Sequence, residues 1–239
     1  MAGWDRLRMA TRARIGLGRA GDALALRDVL AFQMAHAAAR DAVHAALELE
    51  ALAADLAPLA FVAVHSAAPD RATYLRRPDL GRRLPPEEAA KLPAGEHDIA
   101  FILADGLSAT AVQRHAPALL RAALARLRPY RVAPLVVARQ ARVALGDAIG
   151  AALGARLCVM LIGERPGLSV ADSLGVYVTY APRPGRADAE RNCISNIHGQ
   201  GGLGYEVAAD KLAWLAREAL TRQLTGVGLK EEMTPLLPG

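Results

Sequence analysis

The chain has 239 residues, of which 53% are hydrophobic but only 4% aromatic, so it can bury a full core built mainly from Ala, Leu and Val. Its formal net charge is +5, but the positive charge is mostly Arg interspersed with acidic residues, and aromatic side chains for base stacking are few. Nucleic-acid binding is therefore not expected.

The same composition predicts a soluble protein of a reducing compartment. Two cysteines, Cys158 and Cys193, cannot staple a chain of this length. The first residues carry no charged start followed by an apolar run, so no signal peptide is expected. Since every apolar run is too short to cross a bilayer, we expect a cytoplasmic protein without membrane spans.

Residues 1–95 are predicted to form a mostly helical amino-terminal region. From Asp22 to about Leu56 the chain is rich in Ala and Leu, and Asp22 can cap the start of this helical segment. A break or a change of buried face is expected after Arg40, where acidic residues enter the apolar stripe. Apolar residues at helical spacing share one face of the first part: Leu26, Leu30, Met34 and Ala37.

Two further segments precede the boundary that we predict near residue 95. The run 61–64 is apolar but too short to tell a strand from a helix. Residues 70–93 are rich in Pro and Arg, which is typical of a connector or of an arm laid on another surface. We therefore divide the chain into residues 1–95, a helical region with this connector, and residues 96–239.

From His97 the pattern changes to short apolar runs that alternate with helical segments. The run Asp98–Ala104 is nearly continuous, as in strands that are buried on both faces of a sheet. This alternation favours an α/β fold with a mainly parallel, Rossmann-like sheet flanked by helices. The predicted strands are 98–104, 134–137, 156–162 and 174–180, the predicted helices are 108–128, 144–153 and 205–224, and a long loop is predicted over 182–204.

The pattern Gly-x-Gly-x-x-Gly occurs at 16–21 and at 199–204, but neither match predicts a dinucleotide site. No strand precedes the first match, and no strand follows the helix after the second. These glycines are interpreted as turns and helix entry, and a nucleotide-binding enzyme is rejected. The six histidines show no paired spacing suited to zinc, so no metal site is predicted.

Carboxylates follow two predicted strands at the edge where open α/β sheets bind ligands. Asp105 follows the first strand and either bonds the amides of the helix that starts at Ser108 or contacts a ligand or an interface. Glu164 follows the third strand, and the Pro and Gly at 166–167 stiffen its corner. This corner fits a fixed binding group and a solvated pair with Arg165 equally well.

Cys193 lies in a polar loop close to His198. A nucleophilic cysteine needs a histidine partner and a third, orienting group, and the sequence marks neither. We therefore expect Cys193 to pack or to contact a bulky ligand, and no catalytic residue is assigned. A crevice without a reactive group indicates half of a binding site rather than a complete enzyme.

Several long segments resemble one protein family. Residues Ile162–Leu168, Asp172–Pro182 and Asp188–Ile197 are similar to the small (light) subunit of ethanolamine ammonia-lyase. The resemblance covers nearly the whole chain, from about Trp4 to Lys230. Further similar segments are 13–21, 32–37, 76–83, 98–108 and 142–147.

The resemblance implies a lyase that converts ethanolamine to acetaldehyde and ammonia by a radical mechanism with adenosylcobalamin. In this family a TIM-barrel large subunit binds the substrate, and the small subunit covers the cobalamin at the interface, so this chain is not expected to be active alone. Three cofactor-binding residues carry over by motif: Val143, Glu164 and Cys193. The cobalt would be held by the corrin and not by side chains of this chain.

A stand-alone cobalamin-binding module is the rival interpretation. Carriers of that class use a histidine in an Asp-x-His-x-x-Gly motif, which this sequence lacks. We therefore expect a hetero-oligomer with the large subunit, acting in ethanolamine catabolism. The sequence leaves open whether a bacterial microcompartment encloses it.

Overall fold

The computed structural model describes residues 3–230. Six of its strands form one mixed sheet, and two short ones form a separate antiparallel hairpin. The strands are β1 (Arg19–Ala20), β2 (Ala23–Leu24), β3 (Phe61–His65), β4 (His97–Ala104), β5 (Leu135–Arg139), β6 (Ala155–Gly163), β7 (Leu174–Tyr180) and β8 (Asn192–Ile197).

The main sheet has the strand order β3-β5-β4-β6-β7-β8. The first four strands in this order are parallel, while β7 pairs antiparallel to β6 and β8 antiparallel to β7. The predicted α/β class with a mainly parallel sheet is confirmed. The four strands predicted after His97 agree with β4, β5, β6 and β7 to within about two residues at each end.

Helices lie on both faces of this sheet. The helices are α1 (Gly3–Ala10), α2 (Leu26–His44), α3 (Leu49–Leu56), α4 (Arg71–Arg76), α5 (Pro86–Ala89), α6 (Ala109–Arg126), α7 (Leu145–Ala152) and α8 (Tyr205–Arg222). Helices α6 and α8 pack on one face, and α7 packs on the other. None of the helices in residues 3–230 is both long and apolar enough to cross a membrane.

The two faces have separate apolar cores because successive residues of a strand point to opposite sides. On β4, Phe101 and Leu103 face α6 and α8, where Leu212 completes the packing. On the same strand Ile102 faces α7 and contacts the cluster around Ile149. The start of α6 is capped as predicted, since the Ser108 hydroxyl accepts a hydrogen bond from the Ala111 N–H at 3.3 Å.

The predicted loop over 182–204 is wrong in part, because it contains β8. The buried residues of this strand, Ile194 and Ile197, are three positions apart, so the period of two that marks a strand is broken. The register against β7 shifts between Leu174 and Val176, and Asn196 has φ of 61°. A bulged strand with polar residues between its two isoleucines therefore reads as a loop.

The helical segment predicted to start at Asp22, which is α2 in the structure, differs from its prediction in two ways. Asp22 lies in the turn between β1 and β2 and does not cap α2, which starts at Leu26 after the N-cap residue Ala25. The helix also continues through Arg40 and breaks only at 45–48, before α3 begins. Its predicted apolar stripe is exposed rather than buried: Leu26, Leu30 and Met34 are 71%, 48% and 74% exposed.

Two parts of the first ninety-five residues belong to the main body of the fold. The ambiguous run 61–64 forms β3, which pairs with β5 along its whole length. The Pro- and Arg-rich stretch 70–93 contains α4, a 3₁₀ turn at Leu80–Arg82 and α5, and it buries Tyr74 completely. The division of the chain at residue 95 stays a prediction.

Candidate functional site

A cavity of about 380 Å³ opens at the carboxyl ends of β4 and β6, on the face of the sheet that carries α7. This is the edge at which ligands bind in open α/β sheets. The strand ends approach closely here, because a Cβ on Gly106 would lie 2.2 Å from the carbonyl oxygen of Gly163. The cavity lining, which we call the crevice, is Tyr74, Gly106, Leu107, Arg142, Val143, Ile162, Gly163, Glu164, Arg165 and Tyr177.

Glu164 is held in place by the neighbouring antiparallel strands. Its Oε2 accepts hydrogen bonds from the Ser173 hydroxyl at 2.5 Å and from the Asn196 N–H at 3.3 Å. Its own N–H donates to the Ser173 carbonyl at 2.9 Å. A Cβ on Gly175 would lie 2.9 Å from Oε1, so the glycine leaves room for the carboxylate in this position. The fixed position favours the binding interpretation over a solvated pair with Arg165.

The second oxygen of this carboxylate is available to a ligand. Glu164 Oε1 accepts no hydrogen bond from residues 3–230, whereas Oε2 accepts two. The side chain is half-buried and lines the crevice. Glu164 therefore presents a fixed acceptor that amide or hydroxyl groups of a bound molecule would satisfy.

Asp105 does not bond the amides of the helix after Ser108, which was one of its two predicted roles, and its contact with a ligand or an interface stays a prediction. Its carboxylate accepts hydrogen bonds from the N–H groups of Gln140 at 2.7 Å and Ala141 at 3.0 Å, so it binds the β5–α7 loop and not the first amides of α6. The residue is buried, and this burial raises the pKa of its carboxyl group. Because Val143 lies two residues beyond Ala141, Asp105 fixes the wall of the crevice that Val143 forms.

Cys193 lies beside the crevice rather than in its lining. It is the β8 partner of Tyr177 on β7, and the Tyr177 side chain lines the cavity. Although Cys193 is exposed as a residue, partial desolvation of its thiol beside Tyr177 raises the pKa of that thiol, and burial together with Cys193 raises the pKa of Tyr177 to about 12. His198 bonds Asn196 and the Gln200 N–H instead of the thiol. Cys193 is therefore not arranged as an activated nucleophile.

A buried ion pair lies one layer below Tyr177 and Cys193. Arg191 Nη1 donates to Asp147 Oδ1 at 2.6 Å, and the two side chains are each only 2% exposed. The same guanidinium donates to the Thr179 hydroxyl at 3.1 Å and to the Arg186 carbonyl at 2.8 Å. Thr179 is two positions from Tyr177 and so shares its face of the sheet. The pair therefore ties α7 to β7 and β8.

Sequence reasoning missed this ion pair, although both partners stand in segments with a family resemblance. Asp147 ends the segment 142–147 and Arg191 lies within Asp188–Ile197. Nothing in the sequence links two residues 44 positions apart. Asp147 Oδ2 has no hydrogen-bond partner among the described residues, so the pair is not fully satisfied.

The structure thus arranges the three residues predicted to bind a cofactor around one crevice. Val143 and Glu164 both line it, and Cys193 lies beside it as the strand partner of Tyr177. An apolar side chain, a fixed carboxylate acceptor and a small thiol fit a large molecule with amide side groups. Within residues 3–230, no three His, Cys, Asp or Glu side chains come together as a metal site. The binding roles of the three residues stay predictions.

Comparisons with known proteins agree with the segments described above. The family model of the ethanolamine ammonia-lyase light chain (EutC) matches residues 1–230. A protein of Xanthomonas campestris pv. campestris named ethanolamine ammonia-lyase small subunit is 54% identical over 245 residues, covering 98% of this chain and 90% of that protein. Proteins with the same name from Azotobacter vinelandii and Rhodococcus erythropolis are 54% and 51% identical, covering 96% and 95% of this chain and 88% and 90% of their own lengths. The chain therefore belongs to the ethanolamine ammonia-lyase light chain family.

Proposed function

We propose that this chain is the cobalamin-covering small subunit of an adenosylcobalamin-dependent ethanolamine ammonia-lyase, which converts ethanolamine to acetaldehyde and ammonia. The observation that carries the proposal is the convergence of Val143, Glu164 and the Tyr177–Cys193 pair on one crevice. Family membership supplies the reaction. The proposal places the complex in the cytoplasm, in ethanolamine catabolism.

Each wall of the crevice has a distinct part in this proposal. Val143 packs against the edge of the corrin, and Glu164 Oε1 accepts a hydrogen bond from one of its amide groups. Cys193 leaves room where a larger side chain would collide. When bound, adenosylcobalamin supplies the radical chemistry, and the residues of this chain orient it and exclude water.

The proposed partner is the large subunit of the enzyme, with the cofactor between the two chains. The crevice is open, and α2 presents large apolar side chains that residues 3–230 do not cover: Leu26, Leu30, Phe32 and Met34. Exposed apolar surface of this kind marks an interaction site. We expect the chain alone to release no ammonia from ethanolamine, and co-expression with the large subunit to restore turnover.

Glu164→Gln in the co-expressed complex tests the cofactor site. The change keeps the shape but removes the charge. A charge-assisted hydrogen bond contributes roughly 1.5–3 kcal/mol and a neutral one about 1, so the affinity for adenosylcobalamin should fall roughly tenfold. Glu164→Ala should reduce the affinity for adenosylcobalamin further, because it removes both acceptor oxygens. The apparent affinity for ethanolamine at saturating cofactor should stay unchanged, because the substrate binds to the other subunit.

Glu218→Gln is the matched control, since this carboxylate pairs with Arg222 on α8, on the opposite face of the sheet. It should leave both titrations unchanged. An unaltered cofactor titration for Glu164→Gln, together with a large loss of ethanolamine affinity, would contradict the assignment.

A further inference from the structure

The lining of the crevice contains two arginines but only one carboxylate, so its positive charge is in excess. Arg142 and Arg165 both line it, and neither forms an ion pair with a carboxylate among residues 3–230. In residues 3–230, most of the other arginines whose guanidinium group contacts a side chain form an ion pair with Asp or Glu, as Arg191 and Arg126 do. Glu164 is the carboxylate in the lining, and it is turned toward Ser173 and Asn196 instead.

Arg142 is also positioned rather than mobile. Its guanidinium carbon lies 4.3 Å from the ring centroid of the buried Tyr74, and that of Arg71 lies 4.8 Å from the same centroid. Tyr74 is fixed in turn, because its hydroxyl donates to the Ala141 carbonyl at 3.0 Å. The Arg142 side chain thus rests on a rigid aromatic platform beside the crevice.

The hydrogen-bonding capacity of Arg142 is largely unused. Its Nε is buried without a partner among the described residues, and Nη2 makes only a 3.3 Å contact with the Tyr74 carbonyl. A guanidinium group has five N–H donors in a fork that matches phosphate or carboxylate oxygens. A held, unsatisfied guanidinium at the wall of a cavity is the arrangement that an anionic group would complete.

We propose that Arg142 and Arg165 form an anion subsite at the α4 side of the crevice, which binds the phosphate group of the nucleotide tail of the cobalamin. This inference rests on the proposed function, since it assigns one part of that cofactor to one part of the crevice. Arg142 is the oriented donor on the Tyr74 platform. Arg165, which is exposed and follows Glu164 directly, closes on the phosphate from the other side.

Two ligands that differ only in the phosphate test the subsite directly. Adenosylcobinamide phosphate and adenosylcobinamide share the corrin and both lack the nucleotide base. Each is titrated into the co-expressed complex, and binding is followed by calorimetry, which does not depend on turnover. The wild-type complex should bind the phosphate form about tenfold more tightly, as a charge-assisted pair requires.

Arg142→Gln and Arg165→Gln should each reduce that preference and leave the binding of adenosylcobinamide unchanged. Arg165→Gln keeps the test valid if Arg142→Gln does not fold. We expect Arg165→Gln to fold normally, because Arg165 is exposed and its side chain makes no hydrogen bond within residues 3–230. Arg217→Gln removes the same charge from the exposed side of α8 and should keep the full preference.

Equal wild-type affinity for the two ligands would overturn the inference. So would a loss of affinity for both ligands in the two variants without any change in preference. Both results would leave the proposed function standing if adenosylcobalamin still binds. A wild-type complex that binds no cobalamin at all would instead overturn the proposed function, and the subsite with it.

Discussion

The two faces of the sheet are covered in different ways. On the face under α6 and α8, two long helices cross β4, β6, β7 and β8, and most of the residues buried there are apolar, His115 on α6 being an exception. Alanines on α8 let this helix lie close to the strands: Ala208, Ala209, Ala213, Ala216 and Ala219. On the other face, the short α7 packs on β6 and leaves Tyr177 and Cys193 without a covering helix in residues 3–230.

The polar groups follow the same division. The α7 side contains the buried Asp147–Arg191 pair, the carboxylate of Glu164 and the Tyr74–Arg142 stack. The α6 and α8 side is mainly apolar, although it includes the buried His115, whose ring lies 2.8 Å from the Tyr205 hydroxyl. The comparison teaches that one sheet separates two tasks: the closed face stabilises the fold mainly by apolar burial, and the open face carries the candidate site together with a buried ion pair.

The largest expected effect is on the open face. Arg191→Met leaves Asp147 buried without its counter-ion, so the free energy of unfolding should fall by about 3–5 kcal/mol. Urea unfolding followed by circular dichroism measures the change. The double variant Asp147→Leu with Arg191→Met removes both charges and should recover most of the loss. If the double variant is as unstable as the single one, the pair is not what connects α7 to β8.

A slightly smaller effect is expected on the closed face. Leu212→Ala removes a fully buried side chain of α8 and should cost about 2–5 kcal/mol of stability, through lost transfer energy and a cavity. Because Leu212 lies away from the crevice, the folded variant should bind adenosylcobalamin with unchanged affinity in the co-expressed complex. Weaker cofactor binding by the folded protein would show that the two faces are coupled.

The smallest expected effect distinguishes two cysteines of the same face. Cys193 is exposed beside the crevice, so Cys193→Ser should change the free energy of unfolding by less than about 0.5 kcal/mol. Cys158 is buried under α7, where its thiol donates to the Gly146 carbonyl at 3.3 Å, and burial raises its pKa. A maleimide should therefore label Cys193 in the native chain and leave Cys158 unmodified. Equal labelling would mean that α7 does not seal its half of this face.

The central strands were predictable because they are buried on both sides. β4 from Ile99 onward and β6 from Leu157 onward are continuous buried apolar runs, and such a run needs no partner to be recognised. β8 was not predictable, since its burial depends on a bulge against β7 that local periodicity does not contain. The apolar residues of the α2 stripe do lie on one side of the helix, but a sequence pattern does not tell whether another part of the protein covers that side.

The candidate site was predictable only residue by residue. The strand end and the stiff corner marked Glu164 as one of two alternatives, a binding group or a solvated pair, whereas Val143 came from the family resemblance alone. That Cys193 lies beside Tyr177 depends on the pairing of β7 with β8, which a sequence without the bulge information does not specify. The ion pair of Asp147 and Arg191 joins α7 to the residue directly before β8. Because these segments are distant in the chain, only the folded structure shows that the two side chains meet.

The hydrogen bonds that Asp105 accepts from the β5–α7 loop have a consequence for the energetics of binding. A loop that must be ordered when a ligand arrives subtracts conformational entropy from the affinity. Here two backbone N–H groups, those of Gln140 and Ala141, already donate to the carboxylate that directly follows β4. The wall that carries Val143 is thus pre-organised, so a molecule bound against it would lose little conformational entropy on that side.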